Sequence, residues 1–247
     1  MSEKKPLLLF LIGVEGAGHH LTRDFLKYFF KKERVTSIDK AFPFLFHRWD
    51  TLQDYMKKPS TNLNIREEYD LAISRTMKNY SQSNYMYSSA SFPFGLKRDT
   101  LRRPDIIDMV ELMESYFELR PMLIYRDPIS CAYSAVRRKF NDNVLHQAKI
   151  VEDNLIFIKQ QIEASGLDYR SVSYESFISS PDIYSKMFEE WWGVDSLLFE
   201  QGKQEIRRST SKKEIPSETL KLLEEFFSPL RRQQWEGFLK NKDVFSS

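Results

Sequence analysis

Cysteine occurs once in the 247 residues, as Cys131. No intrachain disulfide can form from it, and no cysteine cage for a metal can be built. A reducing, cytoplasmic setting fits that single thiol. Glycine (8) and proline (10) are few, and 41% of residues are hydrophobic. That composition excludes a disordered chain, and no Pro/Gly-rich linker or internal repeat divides the sequence, so residues 1–247 are expected to form one domain. A dominant charge is missing as well: 37 basic against 35 acidic residues leave a formal +2. No whole-chain field draws the protein to nucleic acid or to a membrane surface. Local basic clusters, Lys97 to Arg103, Arg137-Arg138-Lys139, Arg207 to Lys213 and Arg231-Arg232, read as solvated faces, with contact to an anionic acceptor an equal alternative for Arg137, Arg138 and Lys139.

Long hydrophobic runs are also lacking. Leu7 to Val14 behind Lys4-Lys5 resembles a short signal peptide in outline, but it is too brief to span a bilayer and a helix start follows it, so a buried strand is the preferred reading.

What is present is an alternation of strand and helix signals. Leu7 to Ile12 is a continuous apolar run, as expected of a parallel strand covered on both faces. Apolar residues then recur at helical spacing from His19 to Lys32. Asn64 to Tyr80 reads as a helix, Asn84 to Ser88 as a short strand, and Pro104 suits the first turn of a helix running to Phe117. Pro121 to Tyr125 is a second apolar run, after which Asp127-Pro128 supplies a cap and first turn for a helix over Ile129 to Phe140. A helical pattern from Val144 to Ser165 stops at Gly166. Tyr169 to Tyr174 alternates like a strand, Pro181 to Trp192 is helical up to Gly193, and Ser217 to Phe227 forms a late helix. The pattern predicts an α/β fold of three layers, a parallel sheet flanked by helices.

Between the first strand and helix lies Gly13-Val14-Glu15-Gly16-Ala17-Gly18-His19-His20. A glycine loop that leaves a strand and enters a helix offers backbone N–H groups to a phosphate. The lysine and serine or threonine of the usual phosphate loop are replaced here by His19 and His20. Imidazole is a poor substitute for a hydroxyl oxygen toward Mg²⁺, so a magnesium-dependent kinase is disfavoured and no metal is expected. A second stretch strengthens the anion reading. Arg126 follows a strand, and Ser134 comes eight residues later inside the next helix. The carboxyl ends of parallel strands are where open α/β sheets take their ligands, and an arginine fork with a nearby hydroxyl suits a phosphate.

With Arg126-Asp127-Pro128 and Ser134 at that spacing, the chain resembles the sulfotransferase family, whose donor is 3′-phosphoadenosine 5′-phosphosulfate (PAPS). The resemblance implies a P-loop-type fold, with Arg126 and Ser134 on the 3′-phosphate and Gly16, Ala17, Gly18, His19 and His20 around the phosphosulfate. Tyr174-Glu175 with Pro181 and Trp191-Trp192-Gly193 is similar to a further family segment, which implies Tyr174 near the adenine. Ile206-Arg207-Arg208-Ser209-Thr210 stands where the family has a late basic loop, implying Arg207 or Arg208 on the 3′-phosphate. The matches run from residue 7 to about residue 230. Transfer of a sulfuryl group to an acceptor hydroxyl or amine of a small molecule or carbohydrate is the implied reaction.

The departures concern catalysis. Gly16 stands where the family's lysine or arginine assists the leaving phosphate, and Ser91-Phe92-Pro93 stands nearest to the family's catalytic histidine context. The expected substitutes are His19 or His20 donating to the sulfonate or phosphate, with Glu15 or a histidine as base. A neighbouring dianion raises a histidine pKa and a helix dipole lowers it, so the charge state stays open. Rival readings are a P-loop kinase with Asp127 as acid, and a nucleotide-binding or scaffold protein without catalysis. His47, in an aromatic stretch from Ala41 to Tyr55, is a candidate for an acceptor pocket or for packing.

Overall fold

Five successive side chains, Leu8 to Ile12, are each at most 1% exposed. Because neighbours on a strand point to opposite faces, both faces of the sheet must be covered at this point. They form the body of β1 (Leu7–Gly13). The computed structural model describes residues 5–37, 84–90, 106–139, 142–209 and 214–240, with isolated helical positions between 67 and 78. The stretch 41–56 with His47, Ser91-Phe92-Pro93 and the basic cluster 97–103 lie outside the described residues.

Around β1 stand β2 (Thr36–Ser37), β3 (Tyr85–Ala90), β4 (Glu118–Tyr125) and β5 (Arg170–Ser173). The order is β2-β3-β1-β4-β5, and all pairings are parallel. The fold is α/β, as the alternation predicts. From β1 the chain passes to the edge strand β2, comes back to β3 beside β1, and then crosses to the other side of β1 to build β4 and β5. Such a reversal opens a crevice at the carboxyl ends of the central strands.

The expected first helix is divided into α1 (His19–Phe25) and α2 (Lys27–Lys32). Hydrogen bonds from Leu26 N–H to Thr22 and from Phe30 N–H to Leu26 cross the joint, so it is a kink and not a turn. Next come α3 (Ile106–Met113), α4 (Pro128–Arg137) and α5 (Val144–Ser165). Asp127 caps α4 and Asn143 caps α5, while Gly166 ends α5 at φ 63°. After β5 follow α6 (Tyr174–Ser179), a 3₁₀ turn at Pro181–Tyr184, α7 (Ser185–Trp192), which Gly193 ends at φ 73°, and α8 (Ser196–Ser209). The chain closes with α9 (Ser217–Phe226), α10 (Pro229–Arg232) and α11 (Glu236–Lys240).

Among the described helices, α3, α4 and α9 gather on α5, and α1, α2 and α7 gather on α8. Beneath the second group, Phe25 meets Phe177, Phe188 and Phe199 at centroid distances of 4.9, 5.2 and 5.1 Å. The indole N–H groups of Trp191 and Trp192 each donate to a β4 carbonyl, of Pro121 and Arg120, at 2.9 Å. These bonds fasten α7 to the amino-terminal half of β4.

Candidate functional site

Three neighbouring strands deliver their ends to one place. β1 stops at Gly13, β4 at Tyr125 and β5 at Ser173. The parallel register sets Ile12 beside Leu123 and Tyr125 beside Ser173. Loop 14–18, Arg126 and Tyr174 are therefore the first residues beyond the sheet.

The loop is shaped by a bond from Ala17 N–H to the Val14 carbonyl, 3.1 Å, and by two glycines with positive φ. Gly16 has φ 85° and Gly18 φ 121°, conformations that side chains with a Cβ rarely adopt. Each also accepts a close neighbour. A Cβ at Gly18 would stand 2.5 Å from Tyr174 Cδ2, and one at Gly16 would stand 3.3 Å from the Cys131 backbone and 3.5 Å from Ser134 Cβ. The loop is thus seated on α4 on one side and under the Tyr174 ring on the other.

Arg126 ties these parts together. Its Nη1 donates to the Gly16 carbonyl at 3.1 Å, and its Cζ lies 4.2 Å from the Tyr174 ring centroid. Its Nε is buried and makes no hydrogen bond among the described residues. The nearest carboxylate oxygen, Glu175 Oε1, is 3.9 Å from Nε, beyond hydrogen-bonding reach. The same Glu175 oxygen accepts from Asp127 N–H at 3.3 Å, which makes Glu175 the structural partner of the segment. Asp127 is committed to capping: its carboxylate accepts from Ile129 N–H, Ser130 N–H and Ser130 Oγ at 3.3, 3.0 and 2.9 Å. A carboxylate so engaged is a poor metal-holding acid, which weakens the kinase reading.

The expected catalytic trio has three different surroundings. His19 is 7% exposed and lies back against Gly13, whose backbone it meets in a hydrogen bond. Burial pushes its pKa down to about 4, the Gly13 bond opposing and the charges of His20 and Arg23 adding to the shift. At neutral pH the ring is neutral. His20 is exposed, with Arg23 Nη2 at 2.6 Å from its Nδ1; since guanidinium only donates, Nδ1 accepts. Glu15 pairs with Arg138 Nη1 at 2.5 Å. Ala17 is fully buried.

Arg138 also contacts Ser134, through Nη2 to Oγ at 3.3 Å and Nε to the carbonyl at 3.4 Å. The sequence leaves Arg138 open between an anionic acceptor and an exposed helix end. Its signal was the four-residue spacing from Ser134, which puts both on one face of a helix. The stretch expected as a late basic loop is helical instead: α8 runs through Ser209 because Leu198, Phe199 and Ile206 are buried on one stripe. The side chains of Arg207 and Arg208, and residues 210–213, lie outside the described residues. Cys131 is fully buried, and burial pushes its thiol far above the usual range, so no thiolate chemistry is available.

No family model matches the chain, and neither does any curated protein. Among solved structures, the sulfotransferase domain from the Synechococcus PCC 7002 olefin synthase is similar at 14% identity, covering 92% of this chain and 97% of that one with a TM-score of 0.43. No described helix is long and apolar enough to cross a membrane.

Proposed function

We propose that this chain is a sulfotransferase that moves a sulfuryl group from PAPS to a hydroxyl or amine of a small-molecule or carbohydrate acceptor, in the cytoplasm. The observation that carries the reading is Arg126. Its guanidinium is pinned between the Gly16 carbonyl and the Tyr174 ring at the crevice, yet its buried Nε makes no hydrogen bond among the described residues. A buried donor in that condition is costly without an acceptor, and a phosphate oxygen is the acceptor that a planar fork suits best.

The residues fit such a donor. Gly16 and Gly18 admit close approach of backbone to ligand, Ser134 adds a hydroxyl on the α4 side, and Tyr174 stands beside Arg126 where the resemblance implies the adenine. When bound, the donor would supply the sulfur–oxygen bond that breaks. The chain's part is to hold the two anionic ends, to orient them, and to provide charge where it develops. Neutral His19 is in the protonation state that a base requires, while Glu15 must first leave Arg138 to serve as one. Gly16-Ala17-Gly18-His19-His20 has no hydroxyl for Mg²⁺, so donor binding is expected without magnesium.

Calorimetric titration with 3′-phosphoadenosine 5′-phosphate (PAP), against AMP, ADP and ATP with and without magnesium, tests the reading. Magnesium-independent binding that requires the 3′-phosphate and is lost in Arg126→Ala is the expected result. Equal affinity for AMP and PAP, or binding only as a magnesium complex of ATP, would overturn it.

A further inference from the structure

Loop residues 13–20 contain no lysine or arginine, and their one formal charge is Glu15. His19 adds none at neutral pH, being held well below its ordinary pKa by burial. An anion entering the loop therefore finds no cationic side chain of the loop and needs one from elsewhere. Arg126 is one, but it is fixed to the Gly16 carbonyl and the Tyr174 ring. A second is Arg138, whose guanidinium bridges Glu15 at 2.5 Å and Ser134 Oγ at 3.3 Å. The loop itself rests against Ser134 at Gly16, so this guanidinium and Gly16 share Ser134 as a neighbour.

We propose that Arg138 is the second cationic ligand of the loop-bound anion, a phosphate or sulfonate oxygen, and that Glu15 is the partner it exchanges for that anion. The inference rests on the donor reading above. The two side chains are 33% and 12% exposed, so Arg138 is the member of the pair open to an incoming anion. Exchange of one carboxylate for the oxygens of a phosphate or sulfonate offers the fork two charge-assisted bonds, while the Glu15 charge competes for the guanidinium and opposes the anion. Ser134 keeps the guanidinium within reach of both.

This arrangement predicts opposite signs for the two partners. Wild type, Arg138→Gln, Glu15→Gln, the double variant and Arg126→Ala are titrated with PAP by calorimetry. Arg138→Gln weakens binding by about tenfold or more, the loss expected of a charge-assisted bond. Glu15→Gln strengthens it by several-fold, and that gain disappears in the double variant. Affinity unchanged in Arg138→Gln but lost in Arg126→Ala overturns the role of Arg138 while the donor reading stands. A loss in both Glu15→Gln and Arg138→Gln marks a merely structural pair and likewise overturns it. If wild type binds no PAP, the donor reading and this inference fall together. Should Arg138→Gln not fold, Glu15→Gln alone decides, since unchanged or weaker binding there contradicts the exchange.

Discussion

The guanidinium of Arg126 lies on the ring of Tyr174, with Cζ 4.2 Å from the centroid. One residue follows β4 and the other follows β5, so the contact spans two adjacent strand ends. From that position Nη1 donates to the Gly16 carbonyl at 3.1 Å. The arginine is held in place before any ligand arrives, which reduces the ordering cost of binding.

Arg126→Lys should therefore behave as a loss and not as a conservative change. An ammonium keeps the charge but has neither the fork nor the planar stack. PAP affinity is expected to fall by about tenfold or more, as for a lost charge-assisted bond, with melting temperature nearly unchanged. Calorimetry beside thermal unfolding separates the two effects; wild-type affinity in the lysine variant would mean that charge alone is read.

Gly18→Ala combines two faults, φ 121° and a Cβ 2.5 Å from the Tyr174 ring. Gly166→Ala has only the first, since it sits at φ 63° with nothing within 4 Å of the added carbon. The control should cost about 1 kcal/mol, and Gly18→Ala about 1–3 kcal/mol more from overpacking. Urea unfolding of both measures the difference, and equal costs would show that the ring yields freely.

His19 makes stability depend on pH. Its folded pKa of about 4 lies below the ordinary histidine value of 6.5, so between those values the unfolded chain binds the proton that the folded chain refuses. Stability rises with pH across that window and is level above it. The contribution is about 3 kcal/mol, present in full above the unfolded pKa and lost as pH falls toward 4. Urea unfolding at pH 5 and pH 7.5 should show a gap that shrinks in His19→Gln; an equal gap in the variant would place the titrating group elsewhere.

Gly202→Ala sets two effects against each other. Alanine in a helix interior is favoured over glycine by about 1 kcal/mol. Yet a Cβ here would stand 2.5 Å from Phe25 Cδ2 and 2.6 Å from its carbonyl oxygen, and backbone cannot swing aside. Overpacking at about 1–3 kcal/mol wins, so the variant should be less stable on chemical denaturation. A stabilised variant would mean that α1 and α8 are not in close contact.

Much of the scaffold was readable without the structure. The apolar run of β1, the Asp127 cap of α4 and the glycine end of α5 are written in side chains within a few residues of the boundary they set. Where the reading fell short, the signal was still local but weaker. Tyr169 to Tyr174 was expected to stay extended, but Ser173 accepts from Ser176 N–H at 3.3 Å and starts α6 instead. α8 was missed although Asp195 caps it, accepting from Leu198 N–H at 2.9 Å. The Leu26 kink has no evident local signal.

The site divides in the same way. Residue type and spacing singled out the glycine loop, Arg126, Ser134 and Tyr174, because a motif records which groups are available and on which element each stands. Their meeting is a property of the sheet: Arg126 and Gly16 are 110 residues apart in sequence, and parallel register brings them to hydrogen-bonding distance. The same holds for charge. Sequence alone determined that His19 and Glu15 are titratable and that Arg138 is cationic. Only the tertiary structure decided that His19 is buried and neutral and that Arg138 faces Glu15, since burial and charge pairing depend on neighbours that packing supplies from distant parts of the chain.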